Sequence, residues 1–442
     1  MRCLKTNIIK FLAVALVFLI LFNVFEFIKS FFSAIDLPKG RIVFNSQLHG
    51  NSELYTMNIN GTGLERLTKY SLFGPTFNTL ITDARASFSP DGRQIVFDSD
   101  RDDKNPRLKK TRLPGWRLTT SLSSKHSIYI VDFESKAMIR LTYGTASAYN
   151  PVFSPDGKSI SFYTIPSEKD LFYRNIKIIN SDGTREMTLA EGKKVARSSK
   201  FSPDGRKIYF VFHGDIYMAH VYNKSILTRL TNFNSGDALG VVSVAGPLFV
   251  NDFAISPDGE KIILAVTDKS YQRIIFYSMF EDGKRIEQIN VLNNEGRSGS
   301  LSGVFNMRYS PDGRVIVFVA RVGERGLYGL DENGDIRLIS KLNRIDSEVA
   351  DLEGGNFVFS PDNKHVLFVA SFPCGLFNDP YIWVKSICHN ILLYLNYYVF
   401  KRVGGVYDNK YLCIMNIKTG RFKKIARMPI SSSVGREFIH WE

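Results

Sequence analysis

The tetrapeptide Ser-Pro-Asp-Gly stands at Ser89–Gly92, Ser154–Gly157, Ser202–Gly205, Ser256–Gly259 and Ser310–Gly313, and Ser-Pro-Asp-Asn stands at Ser360–Asn363. At average residue usage such a string is expected on the order of 10⁻⁵ times per position, so its recurrence marks a repeat array. The string has the chemistry of a type I turn. Serine caps, proline sets φ at the second position, aspartate bonds local backbone, and glycine or asparagine tolerates the exit conformation. Each turn must therefore join two extended segments.

The flanks have the composition of strands. A large apolar residue precedes each turn (Phe88, Phe153, Phe201, Ile255, Tyr309, Phe359), and runs such as Ile95-Val96-Phe97, Ile208-Tyr209-Phe210 and Val315-Ile316-Val317-Phe318 follow. A third extended segment comes next, as at Ile128-Tyr129-Ile130, Asp215-Ile216-Tyr217 and Tyr411-Leu412-Cys413-Ile414. A fourth ends near Leu67-Thr68, Leu141-Thr142, Leu230-Thr231 or Leu338-Ile339. Four short strands per unit of about 50 residues is the pattern of a propeller blade. The aromatic content of 13%, mostly Phe and Tyr, suits pleated surfaces, and an all-β fold of this kind can absorb 442 residues as one domain.

The first unit, Arg41 to Thr68, lacks a strand before it, and the missing strand is found at the other end of the chain. Aligning Gly435–Glu442 with the strands before the turns sets Trp441 in the column of Phe88 and Phe153, and Ile439 in that of Ala86, Pro151, Phe253, Met307 and Phe357. The expectation is an all-β, seven-bladed propeller, in preference to six or eight blades. Its C-terminal strand pairs into the first blade, removing the open edges of the array.

Ahead of the repeats, Ile8 to Ile28 is almost wholly apolar, and its 21 residues at a helical rise of about 1.5 Å cover roughly the 30 Å hydrocarbon core. No small-x-small cleavage site follows, since Phe32 occupies the critical position before Ala34. An uncleaved transmembrane signal anchor is therefore expected over residues 1–38, with the propeller over 39–442 and insertions at about 101–126 and 372–410. Arg2, Lys5 and Lys10 before the span place the N-terminus in the cytoplasm and the body on the periplasmic or extracellular side of the plasma (inner) membrane. Secretion after cleavage is the alternative. The cysteines Cys3, Cys374, Cys388 and Cys413 form no zinc spacing, although one disulfide among the last three stays open.

The string Phe-Ser-Pro-Asp-Gly, followed by an Ile-x-Phe strand, an Ile-Tyr strand and a terminal Leu-Thr, resembles the TolB-like (WD40-like) propeller repeat, and the likeness covers nearly everything from residue 39 onward. The resemblance implies a fold and leaves activity open. TolB-like propellers serve as periplasmic scaffolds that bind envelope proteins, while related propellers cap prolyl-oligopeptidase-type hydrolases or form the body of oligogalacturonate lyases. Two features depart from TolB itself, which has a six-bladed propeller behind a separate α/β domain.

No G-x-S-x-G elbow, H-E-x-x-H, Walker loop or G-x-G-x-x-G is present, so no catalytic residue, cofactor or metal ligand is assigned. Asp98 to Asp103 alternates acids in the manner of a calcium loop but lacks its glycine and distal glutamate. The seven histidines are scattered among the blades and read as surface or packing residues. A polar column four residues before each turn serine is more suggestive. Arg85, Asn150, Ser198, Asp252, Asn306 and Asn356, with Phe438 in the closing strand, lie on the innermost strands and are candidates for a binding ring at the channel mouth; strand capping or inter-blade bonding is the structural reading.

Two insertions break the pattern. From Asp103 to Lys125 the chain carries Lys104, Arg107, Lys109, Lys110, Arg112 and Arg117 with no further acid, and the whole protein has a formal charge of +14. This loop is a candidate surface for an anionic partner, whether lipid, polysaccharide or acidic protein. Nucleic acid is disfavoured, because stacking aromatics are nearly absent there. Tyr381 to Phe400 reads as a helix whose broad apolar side carries Trp383, Ile387, Ile391, Leu395 and Tyr398, a candidate membrane or partner helix. The expectation is a non-enzymatic, membrane-anchored scaffold that binds an envelope protein; the alternative is a lyase or hydrolase acting on acidic polysaccharide at the channel mouth.

Overall fold

The computed structural model describes residues 39–49, 51–69, 81–102, 107–112, 118–123, 125–166, 173–193, 195–233, 248–268, 273–293, 303–322, 324–341, 357–372, 409–419, 422–428 and 439–441. All regular structure among them is strand, arranged as seven four-stranded antiparallel sheets and one separate two-stranded sheet. The protein is a seven-bladed β-propeller. Among the described residues no helix is long and apolar enough to cross a membrane. The predicted anchor at Ile8–Ile28 and the predicted helix at Tyr381–Phe400 lie outside the described residues.

From inner to outer strand, blade two is Asp83–Phe88, Gln94–Ser99, Ser127–Asp132 and Met138–Arg140, and blade three is Ser147–Phe153, Ser159–Ile165, Tyr173–Asn180 and Met187–Lys193. Blade four is Val195–Phe201, Lys207–Phe212, Asp215–His220 and Asn223–Arg229; blade five is Leu248–Ile255, Lys261–Asp268, Arg273–Phe280 and Glu287–Asn293. Blade six is Val304–Tyr309, Val315–Val322, Glu324–Asp331 and Ile336–Lys341, and blade seven is Phe357–Phe359, His365–Phe372, Asn409–Asn416 and Phe422–Arg427. In blade one, Gly40–His49, Asn51–Asn58 and Glu65–Arg66 are joined by Ile439–Trp441, which pairs with Gly40–Ile42.

The repeated turn is built as its sequence demands. The serine hydroxyl donates to the aspartate two residues on, at 2.5–2.6 Å in Ser89, Ser154, Ser202, Ser256 and Ser310. It also accepts the amide of the residue opening the next strand, as Gln94 N–H to Ser89 at 2.9 Å. The turn glycines take φ between +69° and +80°, where only glycine sits without strain, and Asn363 takes the same region at +58°.

A second repeated device seals the outer strands. The hydroxyls of Thr68, Thr142 and Thr231 each accept a third-strand amide at 2.9 Å, from Leu54, Ile128 and Ile216. Two residues earlier, Arg66, Arg140 and Arg229 each donate Nε–H to the carbonyl of that threonine and reach Glu53, Ser127 or Asp215 with a second nitrogen. The Arg-Leu-Thr string is thus a clamp that ties fourth strand to third.

Between blades the core is apolar. The Ile-x-Phe and Ile-Tyr strands pair so that Phe44 faces Tyr55, Phe97 faces Tyr129, Phe210 faces Tyr217 and Phe318 faces Tyr328, with ring centroids 5.7–6.3 Å apart. Continuous clusters then cross from blade to blade, one joining Ala254, Ile263 and Phe276 of blade five to Met307 and Phe318 of blade six. Gly61 of blade one lies against Ala426 of blade seven, as Gly183 of blade three lies against Leu141 of blade two and Gly334 of blade six against Ile289 of blade five.

Candidate functional site

The inner strands of blades two to six run from the end opposite the turns toward the turn, and near the start of each the pairing slips. The register breaks between Ala84 and Ser87, Tyr149 and Val152, Val195 and Ser199, Val250 and Asp252, and Phe305 and Arg308. These are β-bulges, and Arg85, Asn150, Ser198 and Asn306 of the polar column lie within them, whereas Asp252 pairs with Ala265 directly after the break at Asn251. Arg85, Asn150 and Asn306 adopt φ of +52°, +58° and +56°. Asparagine tolerates this left-handed region, which accounts physically for its choice at two of these positions. Ser198 lies on the bulged strand of blade four, Asp252 is buried, and Asn356 falls outside the described residues.

Arg85 is held in its unfavourable conformation by what it meets. Its Nη1 donates to Asp98 Oδ1 at 2.8 Å, and its guanidinium lies 5.3 Å from the centroid of the Tyr149 ring. His126 Nδ1 is 2.9 Å from the same Asp98 oxygen, while the Asn150 amide donates to Oδ2 at 3.1 Å. Asp98 has no exposed surface. Burial alone would raise its carboxyl, but the Arg85 charge and the His126 hydrogen bond outweigh it and hold the group below the usual carboxylate range. The Asp98 carboxylate beside Nδ1 fixes the orientation of the His126 ring.

The contacts continue outward as a row of rings and cations across blades two and three. The His126 and Tyr149 rings are 4.9 Å apart, Tyr149 and Tyr163 5.9 Å, and Arg174 stands 4.9 Å over Tyr163. Arg85, Tyr149, Tyr163 and Arg174 are all partly buried.

A second network ties blades four, five and six. Lys200 Nζ donates to the Phe253 carbonyl and, at 2.7 Å, to that of Met307, and pairs with Asp252 at 3.1 Å. Asp252 Oδ2 in turn accepts the Met307 amide at 2.9 Å. The inter-blade reading of the column therefore describes Asp252, and Asn150 through its amide.

The calcium-like run does not converge on a point. Asp98 turns to Arg85 and His126, Asp100 accepts the Thr82 amide at 2.7 Å, and Asp102 accepts the Tyr129 hydroxyl at 2.7 Å. Among the described residues no group of three His, Cys, Asp or Glu could hold a metal. Within the basic loop, Arg107–Arg112 and Leu118–Ser123 form the two-stranded sheet, placing Arg107, Lys109, Lys110 and Arg112 on one strand; Lys104 and Arg117 lie outside the described residues.

Sequence reasoning passed over His126 as a scattered histidine and missed Asp98 and Lys200 as organising groups. A signal was present. In the second strands, the column of Asp98 otherwise holds Asn45, Tyr163, Val211, Ala265, Val319 and Val369, so a lone acid stands where the fold wants an apolar or neutral side chain.

No family model matches the chain. A TolB homologue from Chlorobium chlorochromatii is 32% identical over 144 residues, 28% of this chain and 30% of the relative. Over that stretch the chain is similar to TolB. Six of the seven blades described above carry the Ser-Pro-Asp-Gly or Ser-Pro-Asp-Asn turn. An uncharacterized peptidase of Bacillus subtilis, YuxL, is 25% identical over 231 residues, covering 51% of the chain and 30% of the peptidase. The chain thus spans about a third of the length of each of these curated relatives. Among solved structures, oligogalacturonate lyase from Vibrio parahaemolyticus superposes with a TM-score of 0.51 at 13% identity, covering 75% of this chain and 83% of the lyase, which is a likeness of fold.

Proposed function

We propose that this TolB-like propeller is a non-enzymatic binding scaffold of the cell envelope, anchored through residues 8–28, with its propeller outside the cytoplasm and its ring closed by the C-terminal strand. The observation that carries the reading is the partly buried row Arg85, Tyr149, Tyr163 and Arg174. Tyrosine and arginine are the side chains that dominate protein–protein hot spots, because they bring large, stiff contact area together with hydrogen-bonding tips. Here the row is fixed from beneath by the buried Asp98, so little ordering remains to be done on binding. The similarity to a TolB homologue is consistent with a protein partner.

A second reading has its own observation. Arg85, Asp98 and His126 converge, and a histidine oriented by a buried carboxylate beside a guanidinium is an arrangement that can take a proton next to a sugar carboxylate. One experiment separates the two. The full chain, solubilised in neutral detergent, is used to capture proteins from envelope of its own organism and is incubated in parallel with acidic oligosaccharides. The scaffold reading expects a specific protein that is lost with Tyr149→Ala and Tyr163→Ala. Shortening of the oligosaccharide that disappears in His126→Ala would replace it with the enzyme.

A further inference from the structure

Arg174 differs from four other partly buried arginines of the propeller. Arg66, Arg85, Arg101 and Arg140 each stand within 3.4 Å of a carboxylate, those of Glu53, Asp98, Asp83 and Asp102 respectively. Arg174 has the Tyr163 ring centroid 4.9 Å away and, among the described residues, neither an ion pair nor a hydrogen bond. A guanidinium carries five donors and a charge it cannot shed, so drawing it partly out of water without an acceptor costs free energy. With 57 basic residues against 43 acidic ones, the chain is itself short of carboxylates.

Strand pairing fixes where Arg174 stands. Tyr163 is opposite Ile176, which puts Tyr163, Ile176 and, by alternation, Arg174 on one face of blade three. Ile176 and Ile178 pack on that face against blade four. Opposite Arg174 on the fourth strand is Gly192, which has no side chain to answer it. A Cβ built at Gly192 would come within 3.4 Å of Phe212 and 3.6 Å of His213 Nε2, so the next side chains beyond the glycine are an aromatic ring and an imidazole of blade four. On its other side Arg174 meets Tyr163, which packs on Tyr149, itself beside His126 and Arg85. The two ends of the row are therefore unequal. Arg85 is matched by the buried Asp98, and Arg174 by no carboxylate among the described residues.

We propose, resting on the scaffold reading above, that Arg174 is the seat of a carboxylate brought by the partner protein, an aspartate or glutamate side chain whose neighbouring residue lies on the Tyr163 and Tyr149 rings. The two oxygens of a carboxylate match two parallel guanidinium donors. The partner's acid does for Arg174 what Asp98 does internally for Arg85. It also gives the row a direction: the acid is read at the end beside blade four, and the end at Arg85, already neutralised, is left to apolar or aromatic contact.

The test uses the full chain in neutral detergent and, as probe, a labelled short peptide of glutamates with one central tyrosine, followed by fluorescence anisotropy at fixed salt. The peptide is expected to bind, and its glutamine counterpart to bind at least about tenfold more weakly, the factor that about 1.4 kcal/mol represents. Arg174→Gln should weaken binding of the glutamate peptide by a similar factor. Arg206→Gln, at an exposed turn of blade four, should change it by less than about twofold. Since a variant can misfold, the unaltered chain is also treated with p-hydroxyphenylglyoxal and mapped by peptide mass: the peptide should slow modification of Arg174 and leave that of Arg206 unchanged. No binding, full binding by Arg174→Gln, equal loss in Arg206→Gln, or an Arg174 that the reagent does not reach or the peptide does not protect overturns the proposal. Displacement of the peptide by oligogalacturonate at lower concentration than by unlabelled peptide gives the seat to a uronate and overturns it as well. Capture of an envelope protein that requires Tyr149 and Tyr163 but ignores Arg174→Gln refutes the carboxylate seat alone and leaves the scaffold standing; oligosaccharide cleavage lost in His126→Ala refutes the scaffold.

Discussion

The Asp98 carboxylate of blade two accepts the backbone amide of Asn150 of blade three at 3.1 Å while Arg85 and His126 hold its other oxygen. One buried charge thus secures a blade junction, a bulge and the orientation of a histidine. Removing it leaves a guanidinium and a buried amide without their acceptor, so Asp98→Ala is expected to cost about 3 kcal/mol, measured as a shift in the urea midpoint at constant slope. Arg85→Ala should cost less, because Arg85 is partly exposed and His126 and the Asn150 amide still hold the carboxylate.

Acid should unfold the propeller through its turns. The serine hydroxyls of Ser89, Ser202, Ser256 and Ser310 hold Asp91, Asp204, Asp258 and Asp312 below the ordinary carboxylate range. A carboxyl with a depressed folded-state pKa stabilises the fold above its unfolded value and loses that contribution as pH falls through the folded one. Stability should therefore hold from neutrality to about pH 5 and drop below about pH 4. Ser202→Ala should make the drop shallower, as read from urea unfolding at a series of pH values.

Gly92 has φ of +69°, and a Cβ there would overlap the His440 imidazole, which also packs 5.8 Å from the Phe88 ring. Gly92→Ala is expected to lose about 1–2 kcal/mol from conformation alone, and more if His440 is displaced from the blade-one edge. Gly144, with nothing within 4 Å of its would-be Cβ and no positive φ, is the control, and Gly144→Ala should change stability by less than about 0.5 kcal/mol. Thermal unfolding of the pair decides it.

Cys413 lies buried in blade seven, where desolvation pushes its thiol up to about 12. The thiolate, the reactive form, is almost absent at pH 8. Alkylation of Cys413, followed by peptide mapping, should be negligible in the native protein and should appear with the unfolding transition. Labelling at the rate of a free thiol under native conditions would contradict this burial.

The blades were legible because their determinants are local and repeated. Ser-Pro-Asp-Gly fixes a turn wherever it occurs, and Phe97-to-Tyr129 pairing follows from the alternation on either side of it. The site was legible only in outline. The column from Arg85 to Asn306 could be read as polar and inner, but not as a line of bulges, because arginine is a poor predictor of positive φ and its cause, Asp98, belongs to another strand. His126 and Asp98 are far apart in sequence and meet through the sheet, so no spacing rule joins them. The ribbon inside the basic loop was not legible, because Arg107–Arg112 has four bases and a single β-branched residue, and Pro114-Gly115 alone signals a turn.

The pairing of Gly40–Ile42 with Ile439–Trp441 has a consequence for biosynthesis. Blades two to seven can each be finished once their own strands have emerged from the ribosome, whereas blade one waits for roughly 400 further residues, some 20–80 s at ordinary rates of translation. Throughout that interval the edge of Gly40–His49 is a bare template, and the nascent chain depends on whatever shields it. The arrival of Ile439–Trp441 ends this exposure.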